Sequence, residues 1–95
     1  MDLAALREQI DEIDGQLVAL LLRRAKTAKR IGTMKRRQAS PVQDKKREKQ
    51  VLARVRRLCN GRAEERGIAA IYRRIIGMCT RVQRKMISDR LNSGR

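Results

Sequence analysis

Residues 3–20 read LAALREQIDEIDGQLVAL, and the periodicity of this stretch decides the fold. Leu3, Leu6, Ile10, Ile13, Leu17 and Leu20 recur at intervals of three and four. That spacing lays apolar side chains along one face of an α-helix. Extending the register reaches Arg24, Thr27, Ile31 and Met34, so a first helix is expected from about Asp2 to about Arg37. Gly15 and Gly32 fall inside it and each costs about 1 kcal/mol relative to alanine, which packing must outweigh. Such a helix is about 52 Å long, whereas a compact chain of this size has a radius of gyration near 12 Å. The apolar stripe therefore overhangs a single globule. A second copy of the same helix is the simplest cover, and an interlocked two-fold homodimer is expected.

Working outward, Pro41 biases Ser40 away from helix. Asp44 follows as an N-cap, with Val42 placed to staple the turn. A second helix is expected from Lys45 to Leu58, burying Val51, Leu52, Val55 and Leu58. Asn60-Gly61 ends it as a turn. A third helix is expected from about Glu64 to about Leu91, with a stripe of Ile68, Tyr72, Ile75, Cys79, Val82 and Met86, and with Gln83 bordering that face. Asn92 to Arg95 are expected to fray. The expectation is an all-α chain of three helices, residues 1–95 forming one domain.

Composition narrows the function. The 95 residues contain no His, Trp or Phe, one Tyr and two Cys. Without histidine the commonest general base and the commonest metal ligand are missing. Cys59 and Cys79 fall on separate helices and are expected to be free thiols. Leu17–Leu22 is too short to span a membrane, and no basic segment precedes it as in a secretory signal, so a cytoplasmic protein is expected. The formal net charge of +15 points to an anionic partner: nucleic acid, a membrane surface or a small polyanion. Charge alone does not choose among them.

A few polar residues stand on the apolar seams. Arg24 interrupts the first stripe, either facing an anion or snorkelling to water along its stem. Lys35 lies eleven residues on, on the same side and about 16 Å further along the axis. Asp44 and Glu48 at the second helix start serve at least as favourable partners of the helix dipole.

These residues resemble a known family. Leu6-Arg7-Glu8-Gln9-Ile10-Asp11-Glu12-Ile13-Asp14 is similar to the opening of the AroQ-type, all-helical chorismate mutases, as is Leu20-Leu21-Leu22-Arg23-Arg24-Ala25 followed by Ile31-Gly32 and Lys35. Ser40-Pro41-Val42-Gln43-Asp44-Lys45-Lys46-Arg47-Glu48 resembles that family's short loop and Asp-x-x-Arg-Glu helix start. Ile71-Tyr72-Arg73-Arg74-Ile75-Ile76, with Cys79 and Gln83, resembles its last helix. The ordered set spans about residues 3–86 and is far more specific than any one element.

The resemblance implies a cofactor-free rearrangement of chorismate to prephenate. Arg24 would bind one substrate carboxylate and Arg7, from the partner subunit, the other. Lys35 and Gln83 would meet the ether oxygen of the breaking bond. Glu48 would hold the ring hydroxyl beside the backbone at Asp44, and Arg47 would support the carboxylate side. Cys79 stands where some members carry serine. A thiol is the poorer donor, which favours packing over substrate contact.

The chemistry suits the composition. A pericyclic step needs no proton transfer, only a compact conformer and stabilised charge on the ether oxygen. Two rival functions share some of these features. An isochorismate-pyruvate lyase would keep the fold, and a basic helical nucleic-acid or partner-binding protein would use the charge. The latter lacks the stacking aromatics of single-strand binders. Dependence on a partner enzyme of the aromatic pathway is a further possibility that no residue decides.

Overall fold

The computed structural model describes residues 2–93, with side chains to residue 88. It contains α1 (Leu3–Arg37), α2 (Lys45–Cys59) and α3 (Glu65–Ser93), with no strand among the described residues. Each helix start follows from local chemistry. Asp2 caps α1 rather than joining it, its carboxylate accepting the Ala5 N–H at 2.8 Å. Asp44 caps α2 as expected, accepting the Arg47 N–H at 3.0 Å. Asn60 and Gly61 turn the chain with positive φ, 52° and 72°. Asn92 and Ser93, expected to fray, continue α3, while Gly94 and Arg95 lie outside the described residues.

α1 ends at Arg37 as expected, but the turn that closes it was not foreseen. Ala39 adopts the left-handed conformation at φ 54°. Its N–H bonds to the Arg36 carbonyl, and the Ser40 N–H bonds to that of Lys35 at 2.8 Å. This is the Schellman closure, usually made by glycine. It folds the linker back over the last turn of α1, which carries Lys35.

Packing is centred on α3. Both α1 and α2 lie against it and not against each other, so a gap remains between them. The buried side of α3 carries Ala69, Ile76 and Cys79, with Ala69 only 2% exposed. The expected stripe is thus turned: Cys79 is buried, but Ile68 is exposed and Ile75 half-buried. A helix gripped by two neighbours buries the side facing both, whereas the apolar stripe also includes residues beyond that grip. On α2, Leu58 is 64% exposed and Cys59 is buried in its place, for the same reason.

Gly32 explains its own presence. A Cβ there would stand 3.0 Å from Gln83 Cα, so only glycine lets α1 and α3 cross this closely. Gly15 has nothing within 4 Å in its own chain.

The first half of α1 is unpacked. Leu3, Leu6, Ile10, Ile13, Leu17 and Leu20 are all exposed, Ile10 by 56%. The chain measures 59 × 28 × 14 Å with a radius of gyration of 17.0 Å, well beyond the compact expectation. The buried hydrophobic residues, Ala28, Val55, Cys59, Ala69, Ile76 and Cys79, are mostly small and make a thin core. No described helix is long and apolar enough to cross a membrane.

Candidate functional site

The gap between α1 and α2, floored by α3, is a cavity of about 420 Å³. Arg24 and Lys35 reach it from α1, Asp44, Arg47 and Glu48 from the start of α2, and Cys79 and Gln83 from α3. Seven of the eight residues singled out from the sequence therefore meet in one place. Arg7 does not. It lies seventeen residues before Arg24 on the same straight helix, about 25 Å away along the axis. No bending of its side chain brings it to the cavity of its own chain.

Lys35 is the best-anchored cation. Its Nζ donates to the Val42 carbonyl at 2.6 Å and to Gln83 Oε1 at 2.9 Å. The first bond depends on the Ala39 turn, which brings Val42 back over α1. The second depends on the close crossing at Gly32. Lysine can only donate, so it dictates which end of the Gln83 amide faces it. The Gln83 NH₂ group is left as a donor without a partner among the described residues.

Arg24 is half-buried and clamped. Its Nη1 donates to Cys79 Sγ at 3.0 Å, and its guanidinium carbon lies 5.5 Å from the centre of the Tyr72 ring. The cation rests on a π face and a sulfur, and no carboxylate neutralises it among the described residues. Snorkelling to water is thereby overturned: the head is held inward. Cys79, 4% exposed, is a packing residue that also accepts from Arg24, and both cysteines are free and buried. The sequence places Tyr72 in the apolar stripe and in the segment resembling the family's last helix, but gives it no site role. Its position seven residues before Cys79 on α3 was the available signal for a role beside Arg24.

Glu48 supplies the opposite character. The residue lines the same cavity, and its Oε2 is buried with no hydrogen-bond partner among the described residues. An unsatisfied buried carboxylate oxygen is expensive, commonly by 1–3 kcal/mol or more. It is an acceptor awaiting a hydroxyl or similar donor. The cavity thus offers cations at Arg24, Lys35 and Arg47, a neutral donor at Gln83 and a vacant acceptor at Glu48. Such a set is chemically suited to a small anion that also carries a hydroxyl group.

Past Arg24, Arg47 and Val51 the groove continues into a second hollow of about 480 Å³ between the end of α2 and the start of α3. Its walls include the exposed Leu58 and Ile68, with Arg54 and Arg62 at the rim.

Residues 6–84 match the sequence model of the family described as chorismate mutase type II. Two relatives are similar. A bifunctional chorismate mutase/prephenate dehydratase of Aquifex aeolicus is 35% identical over 89 residues, covering 90% of this chain and 25% of that protein. A chorismate mutase of Methanocaldococcus jannaschii is 39% identical over 57 residues, covering 60% of this chain and 58% of that protein. The chain thus spans a quarter of the first relative's length and somewhat over half of the second's. No solved structure matches it significantly.

Proposed function

The chain belongs to the type II chorismate mutase family, and on that premise we propose that it converts chorismate to prephenate as a homodimer. The observation that carries this reading is the pairing of Lys35 with Gln83, which leaves the Gln83 amide free to donate into the same cavity as the unpartnered Glu48 oxygen.

Chorismate carries two carboxylates, a ring hydroxyl and an ether oxygen. The reaction breaks the ether C–O bond and forms a C–C bond in one cyclic rearrangement, with no atom gained or lost. Arg24 takes one carboxylate, with its guanidinium already oriented by Cys79 and Tyr72, and Arg47 supports the same side. Glu48 accepts the ring hydroxyl near the Asp44 backbone. These contacts hold the compact conformer in which the reacting carbons meet. Lys35 and Gln83 donate to the ether oxygen, where negative charge grows as the bond lengthens. They therefore bind the transition state more tightly than the substrate. The lysine is already partly buried and held by Val42 and Gln83, which limits the reorganisation that accompanies the step.

The second carboxylate falls to Arg7 of a second copy. Several features support that copy: the exposed stripe on the first half of α1, the 59 Å length, and the hollow beside Arg24 with apolar walls. Charge adds to them. Residues 1–20 hold five of the ten acidic residues (Asp2, Glu8, Asp11, Glu12 and Asp14) but one of the 25 basic ones. An acidic arm on each chain therefore complements the basic body of the other. Prephenate would pass to an enzyme that consumes it. The Aquifex relative, named for both a mutase and a dehydratase, is compatible with such a partner.

The test is direct. Purified protein is mixed with chorismate, loss of absorbance is followed, and the product is identified by chromatography. Prephenate at an enzymic rate is expected. Pyruvate release would assign a lyase instead, and no turnover by a folded dimer would overturn the reading. Sedimentation at micromolar concentration should give a dimer, and a monomer there would remove the assembly.

A further inference from the structure

The outer side of α3 takes no part in the site. Between Arg66 and Ser88 the helix carries six cations, Arg66, Arg73, Arg74, Arg81, Arg84 and Lys85, and no acidic residue. All six are exposed, and none has an ion-pair partner among the described residues. At 3.6 residues per turn they fall within an arc of about 120°, along about 28 Å of axis. They form two rows. Arg66, Arg73 and Arg84 make one edge, and Arg74, Arg81 and Lys85 the other. Between the rows lie only small residues, Ala70, Gly77 and Ser88. The Arg81 guanidinium folds across the middle of this strip, 3.6 Å from where a Cβ on Gly77 would stand. The ridge is turned away from α1 and α2, and away from the hollow at Leu58 and Ile68 where the second copy is placed.

We infer that this ridge is a docking surface for double-stranded nucleic acid, held through its phosphates. A convex helix about 10–12 Å across matches a major groove about 12 Å wide. Its two cationic rows then face the phosphates of the two strands, and the small-residue strip lets the backbone approach the groove floor. A flat anionic membrane would use one row well and the other poorly, and the large apolar side chains nearest the ridge, Ile71 and Met78, lie beyond its second row and not between the two. Stacking on single strands needs aromatic residues, and the chain's one aromatic, Tyr72, lies under Arg24. The side chains on the ridge are almost all charged donors suited to phosphate, so binding is independent of base sequence. Spread over the chain, the positive charge looks like general solvation. Helical periodicity gathers six of the cations on one free face.

The experiment is fluorescence anisotropy of the 95-residue protein with a labelled duplex of about 25 base pairs. With six phosphates engaged, the slope of log K against log salt should be about −5, and affinity should fall about a thousandfold between roughly 50 and 200 mM salt. A triple reversal, Arg73→Glu, Arg81→Glu and Arg84→Glu, should reduce the slope by about three and weaken binding at least tenfold, leaving helicity and chorismate turnover unchanged. Arg→Gln changes at the same positions give a milder version should the reversal unfold the chain. The control reverses three exposed cations of α2, Lys46→Glu, Lys49→Glu and Arg56→Glu, and should leave the slope nearly unaltered. Equal loss from both triples would overturn the proposal, because the charge would then act without a surface. Tighter binding of polyglutamate than of duplex would overturn it in favour of an acidic protein. Equal or tighter binding of single strands would overturn the groove fit.

Discussion

The two halves of α1 share one helical register and differ in the strength of its apolar stripe, in charge and in burial. From Leu3 to Leu22 the stripe is strong, the flanking charges are mainly acidic, and the large apolar residues are largely exposed. From Arg23 to Arg37 the stripe is weaker, every charged residue is basic, and Ala28 and Gly32 are buried against α3. The better hydrophobic pattern belongs to the half that touches less of its own chain. A stripe states that a face is to be covered, and it does not say by what. The second half needs few large apolar residues because a close crossing at Gly32 brings backbones together directly. The first half must fit a surface that its own chain does not supply.

A large effect should come from the packed half. Lys35→Ala is expected to lower kcat/KM by at least a hundredfold, in line with the roughly 2.7–4 kcal/mol that one such donor supplies. Circular dichroism should show the fold retained. Near-normal turnover would remove Lys35 from the ether oxygen.

The division between the halves can be tested on its own. Arg7→Ala and Arg24→Ala should each inactivate the homodimer. Mixing the two after subunit exchange should restore about a quarter of wild-type activity, because half the dimers are mixed and each has one intact site under two-fold symmetry. If mixing restores nothing, the two arginines do not meet across chains.

Gln83→Glu probes the donor that Lys35 leaves free. The carboxylate form accepts from Lys35 but cannot donate to the ether oxygen, whereas the protonated form can. Activity should therefore be absent near neutrality and rise as pH falls. A flat pH profile would argue against the role.

Smaller effects should mark the geometry that sets the site. Gly32→Ala would force α1 and α3 apart, and overpacking of this kind typically costs 1–3 kcal/mol. A lower melting temperature is expected together with reduced kcat, since the Lys35–Gln83 bond spans that crossing. Gly15→Ala is the matched change in the unpacked half, and chain contacts alone predict that it does not destabilise. If it disrupts the dimer, the second copy approaches α1 there as closely as α3 does at Gly32.

The least effect concerns the turn. Ala39→Gly should raise stability by about 1 kcal/mol, because a left-handed alanine carries a steric penalty that glycine lacks. The melting temperature reads it, and turnover should be unchanged.

The number of helices, their bounds to within a residue or two and the Asp44 cap were all legible in the sequence, because periodicity and capping act over a few residues. Ordered spacing and family resemblance also named seven residues that the fold gathers at one cavity, and an eighth, Arg7, that it does not. Other features depend on elements distant in the chain meeting. Nothing local to Gly32 reveals that Gln83 lies against it, and an alanine gives no sign of a Schellman turn. The orientation of the Gln83 amide follows from Lys35, 48 residues away. The clamp of Cys79 and Tyr72 on Arg24 likewise joins helices that are neighbours only after folding. Exposure of Leu58 and burial of Cys59 reflect where α3 grips α2, which no apolar pattern on α2 contains. Local preferences are written in a few adjacent residues, whereas contacts between helices are set by how whole surfaces pack.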